Sequence, residues 1–312
     1  TMSNSVISID SLNDYAHLEQ AAESVYLVDF EAPQKFIDVG HSQLAYWSVG
    51  KGPNLVLVHG WPISSATYRN LLPYLSQHFT CHLFDFPGAG KTKTGHNAPF
   101  GLNAHAETLL DAIRQLEIEN YALLGHDSGA AIMQIVAAKD RDQVSSLVMG
   151  NTETPGYYSF MMKFLLGAAK LPKTGEILFW ALRFKWLRHS RFGLGCAFKN
   201  KQLIDESFFD LFLKPVIQSK AARKGQLQLF KNLDPGEVGE LANIQKNCTL
   251  PVQLQWGSDD PYFLLEDAKK MQKRFKGESE MHVYKGGKLF IHEEYPVKFA
   301  KLATEFILRN GK

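Results

Sequence analysis

The chain has 312 residues, of which 45% are hydrophobic and 21% charged, with a formal net charge of +2. This composition is typical of a folded protein with one large α/β domain, or one domain that carries an inserted subdomain. No apolar run reaches the roughly 18 residues of a membrane span, so we expect no integral membrane segment. The 3 cysteines are too widely spaced for a disulfide framework or a zinc site, which favours a cytoplasmic protein that binds no metal.

Strands and helices alternate through the first half of the chain. Continuous apolar runs such as Asn54–Val58 predict strands that are buried on both faces. The short spacing between strands and helices indicates βαβ units and a mostly parallel sheet. The predicted strands lie at 35–39, 43–48, 54–58, 79–84, 121–124 and 144–149.

The alternation stops at about residue 152 and resumes after 247, with strands predicted at 251–256 and 280–284 and a closing helix at 293–309. The interval 152–247 has helical, aromatic-rich patterns and no clear strand. We therefore divide the chain into 1–151 and 248–312, which form the two parts of an α/β core, and 152–247, a helical insertion. The insertion carries 15 Lys and Arg against 8 Asp and Glu. It is nevertheless too apolar and too poor in motifs to indicate a nucleic-acid partner, and no pattern indicates an oligomeric state.

A sharp turn is predicted where the strand at 121–124 meets the following helix. Gly125 and Gly129 flank Asp127, and such small flanking residues permit the strained backbone that lifts the middle side chain above the strand. The helix N-terminus stabilises an anion there, so the Asp127 carboxylate can attack an electrophilic carbon and form an ester. Asp127 could instead merely cap the helix. Ser128 could be the nucleophile only if His126 and Ala130 were its flanks, and histidine is too large for that position.

Three motifs follow predicted strands: His59-Gly60-Trp61-Pro62, Asp85-Phe86-Pro87-Gly88 and Gly125-His126-Asp127-Ser128-Gly129. Together they resemble the epoxide hydrolase and haloalkane dehalogenase branch of the α/β-hydrolase superfamily, and the resemblance covers nearly the whole chain. It implies an α/β-hydrolase fold with a mostly parallel eight-stranded sheet, flanking helices and the insertion as a helical cap over the site. It also implies that the backbone amides of Trp61 and Ser128 form an oxyanion hole.

The same resemblance implies an acid that orients a catalytic base. The acid of this branch is the third residue after a glycine that follows a strand, which is Asp260 after Gly257. Asp259 is the neighbouring alternative, and it could also be a solvated loop charge. Some relatives carry the acid after the preceding strand, which makes Glu153 a reserve candidate.

The base departs from the family pattern. Alignment on Phe290 and on Glu294-Tyr295-Pro296 places Leu289 where the family has histidine, and leucine cannot activate water. The nearest histidine is His292, three residues later. Three accounts remain open: a rewound loop brings His292 into the site, another group or no group serves as base, or hydrolysis has been lost.

The substrate signals are incomplete. Tyr157 and Tyr158 are the candidates for the two cap tyrosines that act as acids in epoxide hydrolases, but they are adjacent and no other tyrosine lies between Tyr158 and Tyr262. The main hypothesis is a cofactor-free hydrolase that forms an ester between Asp127 and a small or medium apolar molecule, such as an epoxide, an alkyl halide or a strained lactone. The alternative is a non-hydrolytic protein of the same fold that binds a hydrophobic ligand in the former active site.

Overall fold

The structure is a computed structural model that describes residues 4–9, 27–171 and 173–311. Ten strands in these residues form one sheet. Their bounds are β1 Asn4–Ile9, β2 Lys35–Asp38, β3 Ser42–Val49, β4 Asn54–Val58, β5 Thr80–Phe84, β6 Lys93–Thr94, β7 Tyr121–Gly125, β8 Val144–Met149, β9 Val252–Gly257 and β10 Ser279–Tyr284.

The strands cross the sheet in the order β1-β10-β9-β8-β7-β4-β5-β3-β2, and β6 lies beside β3. The pairs that involve β3 are antiparallel and the other neighbouring pairs are parallel, so the prediction of a mostly parallel sheet is confirmed. The expected number of eight strands is corrected to ten within the described residues. The two additional strands escape the sequence pattern because β6 has two residues and β1 mixes polar with apolar residues.

The central strands are buried along their whole length. Every residue of β7, β8 and β9 is buried, which explains why their sequences do not alternate between apolar and polar positions. These strands and β4 run in the same direction, so their carboxyl ends meet at one edge of the sheet. The loops that follow them begin side by side, at the place where open α/β sheets bind ligands.

Helices cover both faces of the sheet and fill the interval between β8 and β9. Helix α3, which follows β7, is buried over its first ten residues because it contains almost only apolar side chains. The helices are α1 Leu72–Leu75, α2 Leu102–Gln115, α3 Ser128–Lys139, α4 Phe160–Lys170, α5 Thr174–Ala181, α6 Lys185–Arg188, α7 Lys214–Gln218, α8 Lys220–Lys231, α9 Pro235–Asn247, α10 Leu265–Gln272, α11 Ile291–Glu294 and α12 Pro296–Asn310. None of the helices in the described part of the chain is long and apolar enough to cross a membrane.

The insertion packs onto the loop that follows β4. The Trp61 ring stacks on Phe230 of α8 with 4.4 Å between ring centroids, and its edge contacts Phe179 of α5 at 5.7 Å. The Trp61 indole Nε1 also donates a hydrogen bond of 2.6 Å to the carbonyl of Gln226. Between β8 and β9 the described residues form helices, turns and a single isolated bridge, between Thr154 and Tyr157. The division of the chain into a core and a cap at 152–247 stays a prediction.

Candidate active site

The turn between β7 and α3 holds Asp127 with a φ angle of 55°, a left-handed value that few residues other than glycine adopt. Glycines allow the turn to approach its neighbours. A Cβ atom on Gly60 would lie 2.5 Å from the Cβ of Asp127, and one on Gly129 would lie 2.2 Å from the carbonyl oxygen of Val58. Of the two flanking glycines, Gly129 is therefore required by the close approach of β4, and a Cβ on Gly125 would lie 2.8 Å from Met133 Sδ in the following helix.

The Asp127 carboxylate is buried and accepts hydrogen bonds from the backbone N–H groups of Ser128 and Trp61. Burial raises the pKa of Asp127 to about 6, while the two N–H groups act in the opposite direction. The carboxylate consequently remains the main form at neutral pH. The N–H groups that we expected to form an oxyanion hole thus surround the proposed nucleophile.

Asp260 lies buried in the loop after β9, whereas Asp259 is exposed. The Asp260 carboxylate accepts hydrogen bonds from the Tyr262 backbone N–H at 2.8 Å and from the Asn151 side chain at 2.6 Å. Burial raises the pKa of Asp260 to about 7, and the charge of Asp127 contributes a smaller increase. Asp260 is therefore the member of the acidic pair that faces the interior, but its side chain is not part of the cavity wall.

His292 is fully buried in α11 and does not line the cavity. Its Nε2 lies 2.7 Å from the Thr67 hydroxyl oxygen, and that hydroxyl donates to Glu293 Oε1 at 2.8 Å. Because the hydroxyl has one hydrogen and the carboxylate can only accept, we assign the proton of the imidazole to Nε2. Arg69 pairs with the same Glu293 oxygen at 2.9 Å. Burial holds the pKa of His292 well below its usual value, so the ring is a neutral member of a structural network.

Leu289 occupies the place in the cavity wall that the resemblance gives to a base. Its side chain lines the cavity and its carbonyl oxygen accepts a 2.7 Å hydrogen bond from His126 Nε2. The His292 ring packs against the other side of this region, with 4.2 Å between its centroid and that of His126. His292 lies in helix α11, which begins at Ile291, and no rewound loop places its ring on the cavity wall. This geometry therefore does not support the interpretation of His292 as a replacement base.

Glu153 lies on the cavity wall, in the loop that follows β8. It is 5% exposed, and its Oε2 lies 2.9 Å from the Thr152 hydroxyl. Burial, followed by the negative charge of Asp127, raises the pKa of Glu153 to about 8. Glu153, the reserve candidate for the acid, is therefore the second carboxyl group on the cavity wall.

The two cap tyrosines do not line the cavity. Lys270 lies over the Tyr157 ring at 4.5 Å from its centroid, on the outside of the molecule, and the Tyr158 side chain is half-buried. The tyrosine on the wall is Tyr262, whose hydroxyl lies 3.0 Å from Cys196 Sγ. Tyr262 is not among the predicted site residues because the resemblance implies acid tyrosines in the insertion 152–247, and Tyr262 lies outside it. Its position two residues after Asp260, whose carboxylate binds its backbone N–H, was the available signal.

The cavity has a volume of about 130 Å³ and lies between the carboxyl ends of the strands and the helices of the insertion. Within the described residues its ionisable wall groups are Asp127, Glu153 and Tyr262, with no histidine, lysine or arginine. No group of three or more His, Cys, Asp or Glu side chains in the described ranges is arranged to hold a metal ion. The wall is otherwise almost entirely apolar and includes Trp61, Met162, Leu165, Phe179, Leu182, Leu194, Leu213, Leu227, Phe230, Phe263, Leu289 and Phe290.

Comparisons with known proteins identify the family of the chain. The family described as alpha/beta hydrolase fold matches residues 53–295. Haloalkane dehalogenase 2 of Mycobacterium tuberculosis H37Rv is 29% identical over 126 residues, which are 40% of this chain and 43% of that protein. The soluble epoxide hydrolase of Corynebacterium sp. C12 is 32% identical over 108 residues, 34% of this chain and 36% of that one. The chain thus spans less than half the length of these curated relatives.

A solved structure extends the similarity to nearly the whole chain. The crystal structure of haloalkane dehalogenase DbeA from Bradyrhizobium elkani USDA94 superposes with a TM-score of 0.76 and covers 88% of this chain and 97% of that one, at 20% identity. At this identity the likeness concerns the fold.

Proposed function

We propose that this member of the α/β-hydrolase fold family is a cofactor-free hydrolase in which Asp127 is the covalent nucleophile. One observation carries the proposal. The buried Asp127 carboxylate, held by the N–H groups of Trp61 and Ser128, faces an apolar cavity at the carboxyl edge of the sheet. The named relatives include a haloalkane dehalogenase and an epoxide hydrolase, whose substrates have an electrophilic carbon.

The proposed first step is a displacement at carbon. An Asp127 oxygen attacks the substrate, the bond to the leaving group breaks and an ester forms. In the second step water attacks the carbonyl carbon of the ester, and the oxygen that becomes negative accepts hydrogen bonds from the Trp61 and Ser128 amides. These donors are fixed before the reaction, so they stabilise the developing charge without reorganisation.

Cavity size and polarity define the substrate class. A cavity of about 130 Å³ is comparable with one of ~150 Å³ that accommodates benzene. Apart from its three ionisable groups the wall offers mainly carbon. We therefore propose a small apolar epoxide or alkyl halide as substrate. Asp260, without a histidine beside it on the wall, serves in this proposal to fix Tyr262 through the backbone hydrogen bond.

A second candidate is the non-hydrolytic ligand-binding protein. It is favoured by the absence of histidine from the cavity wall in the described chain, because a branch member without a base has no evident means of activating water. The hydrolase forms a covalent ester and the ligand-binding protein does not, so the mass of the intact protein distinguishes the two candidates.

The test is the mass of the intact protein after incubation with 1,2-epoxybutane or 1-iodobutane, together with assays for butanediol and butanol. We expect an adduct of one alkyl group on Asp127, transient or persistent, and its loss in Asp127→Asn. The matched control is Asp259→Asn, which changes an exposed aspartate and should behave like the unaltered protein. If no variant forms an adduct or product, and butane derivatives bind equally to Asp127→Asn, the ligand-binding protein replaces the hydrolase.

A further inference from the structure

Glu153 is a buried carboxyl group on the wall of the cavity that already contains the proposed nucleophile. A carboxyl group that is merely structural is usually paired with a cation or several N–H groups, because burial of an isolated charge is costly. Glu153 has neither a lysine nor an arginine on the cavity wall beside it, and its carboxyl group contacts a single backbone N–H, its own, and the Thr152 hydroxyl. A purely structural role therefore does not explain the burial of this carboxyl group on the cavity wall.

The hydrogen bonds around Thr152 indicate the protonation state of Glu153. The Thr152 hydroxyl donates to the backbone carbonyl of Asp127 at 2.8 Å, and a carbonyl oxygen can only accept. The same hydroxyl oxygen lies 2.9 Å from Glu153 Oε2. The hydroxyl has a single hydrogen, so the second contact is a full hydrogen bond when Glu153 is protonated and donates to the Thr152 oxygen. The geometry therefore fits a neutral Glu153 beside an ionised Asp127.

We propose that Glu153 is the acid–base group of this site, acting first as a proton donor to the leaving oxygen of an epoxide and then as the base that activates water. This inference rests on the proposed function. It assigns to a carboxyl group the work for which the family pattern has a histidine, and it does not require an acid that orients a histidine.

The first step balances as follows for an epoxide. An oxygen lone pair of the Asp127 carboxylate forms the new C–O bond, and the carbon–oxygen bond of the ring breaks. The electron pair of that bond stays on the ring oxygen, which takes the proton of Glu153. The products are a hydroxyalkyl ester of Asp127 and a Glu153 carboxylate.

In the second step the Glu153 carboxylate takes a proton from water while the water oxygen attacks the ester carbonyl. Collapse of the tetrahedral intermediate breaks the bond between the carbonyl carbon and the alkoxy oxygen, and the departing oxygen takes from Glu153 the proton that came from water. Asp127 is then a carboxylic acid, and its proton passes to the Glu153 carboxylate. A proton balance over the step leaves the diol, an Asp127 carboxylate and a protonated Glu153, so the sum is epoxide plus water to diol. The change from acid to base resembles the logic of retaining glycosidases, where one carboxyl group serves in both steps.

The charges around Glu153 favour this order. The groups whose electrostatics involve it are Asp127 from the β7–α3 turn and Tyr158 from the insertion, and Tyr262 is the remaining ionisable group of the wall. None of them is a cation, so nothing on the wall opposes the proton that Glu153 retains. The Asp127 carboxylate accepts hydrogen bonds from the Ser128 and Trp61 N–H groups, which favour its ionised form, so the proton returns to Glu153 after hydrolysis.

The nature of the leaving group provides a sharp test. An epoxide oxygen leaves as an alkoxide unless it is protonated, whereas iodide leaves without a proton. Glu153→Gln keeps the size of the side chain and can still donate to Thr152, but it cannot transfer a proton. The matched control is Glu206→Gln, an exposed position of the insertion. Each variant is incubated with 1,2-epoxybutane and with 1-iodobutane, and ester formation and ester loss are followed by intact mass.

With 1-iodobutane, Glu153 keeps its proton during ester formation and releases it to solvent before it acts as the base. We expect Glu153→Gln to form this ester at nearly the rate of the unaltered protein and then to retain it, with hydrolysis slowed about 100- to 10,000-fold. With 1,2-epoxybutane ester formation itself should slow by a similar factor. Glu206→Gln should show neither effect. Formate added to Glu153→Ala should restore ester hydrolysis, since a free carboxylate can enter the space of the missing side chain, and a purely structural role of Glu153 would not respond to formate.

Equal rates of ester formation and hydrolysis in Glu153→Gln and the unaltered protein, with both abolished in Asp127→Asn, would overturn the acid–base role and leave the proposed function intact. Absence of any ester in the unaltered protein would overturn both. If Glu153→Gln fails to fold, the formate response of Glu153→Ala decides, because formate supplies the missing carboxylate in the space that this variant leaves. Slow ester hydrolysis in Glu153→Ala that formate does not accelerate would contradict the proposal.

Discussion

At the scale of single residues the site depends on two buried carboxyl groups that share one proton. Asp127 is surrounded by backbone N–H groups and stays ionised, while Glu153 contacts a hydroxyl whose hydrogen is already engaged. Burial alone raises both pKa values, and the difference between the two environments determines which group holds the proton. Such a division between two carboxyl groups is how a single site can supply both a nucleophile and an acid at neutral pH.

The pH dependence of ester formation should reveal this pair. Opening of 1,2-epoxybutane needs Asp127 without its proton and Glu153 with its proton. The rate should therefore rise as pH increases through about 6 and fall as it increases through about 8. Alkylation by 1-iodobutane needs only the ionised Asp127, so its rate should rise near pH 6 and then remain level.

Single-turnover rates between pH 5 and 9 measure both profiles. Because the groups interact, the apparent values belong to the pair. Glu153→Gln should lose the fall at high pH with the epoxide. A fall of the same size with 1-iodobutane would contradict the assignment, since no proton donor takes part in that reaction.

The sequence predicts the nucleophile from its neighbours but cannot identify its proton partner. Gly125 and Gly129 permit a sharp turn at the residue between them, and this local pattern is visible in the sequence. The position of Glu153 beside Asp127 depends on the pairing of β7 with β8 and on the Thr152 hydroxyl, which contacts the Asp127 carbonyl 25 residues earlier in the chain. Tyr262 escaped prediction for the same reason.

At the scale of elements, the short helix α11 explains why His292 does not reach the cavity. His292 and Glu293 bind the 3₁₀ helix Ser65–Tyr68 and Arg69, so that α11 is fixed to the segment after β4. A sequence alignment shows that His292 is three residues from the expected position. It does not show that helix α11 begins at Ile291, or that Glu293 in this helix pairs with the buried Arg69.

His292→Ala should therefore weaken the fold and leave the chemistry nearly intact. The change removes a buried hydrogen bond to Thr67 and leaves a cavity, which should lower the free energy of unfolding by about 1–3 kcal/mol. Ester hydrolysis per folded molecule should change less than about threefold, because the imidazole lies outside the cavity wall.

Urea unfolding and single-turnover mass measurements on the same preparation test both parts. His78→Ala, which alters an exposed histidine, is the control for loss of an imidazole. An Asp127 ester that persists in His292→Ala but not in the control would restore His292 as the base and would exclude its role as a purely structural residue.

At the scale of the whole molecule, the site is the meeting point of loops that follow parallel strands. Trp61 follows β4, Asp127 follows β7, Glu153 follows β8 and Asp260 follows β9. These strands are adjacent in the sheet although they are far apart in the sequence. The parallel arrangement could be predicted because continuous apolar runs identify buried strands. The number of strands could not, since edge strands need only a few residues and little apolar character.

The apolar wall of the cavity also affects what happens after the reaction. In a site that converts an epoxide to a diol, the product has hydroxyl groups where the substrate had carbon–oxygen ring bonds. The wall offers few partners for them beyond Asp127, Glu153 and Tyr262. Transfer of a hydroxyl from water to a place without a hydrogen bond costs about 1–3 kcal/mol by protein mutational data. The diol should therefore partition back into solution as it forms.

Weak product inhibition is the measurable consequence. Butane-1,2-diol should inhibit turnover of 1,2-epoxybutane with a constant about 10- to 100-fold above the KM for the epoxide, since each 1.4 kcal/mol corresponds to a factor of ten. Initial rates at rising diol concentrations give that ratio, with 1-butanol, which carries one hydroxyl, as an intermediate reference. Inhibition by the diol as strong as binding of the epoxide would mean that the cavity holds polar partners for the product. If the ratio is as expected, the cavity binds the apolar epoxide more strongly than the polar diol. Accumulation of the diol in the surrounding solution then does not slow the next turnover.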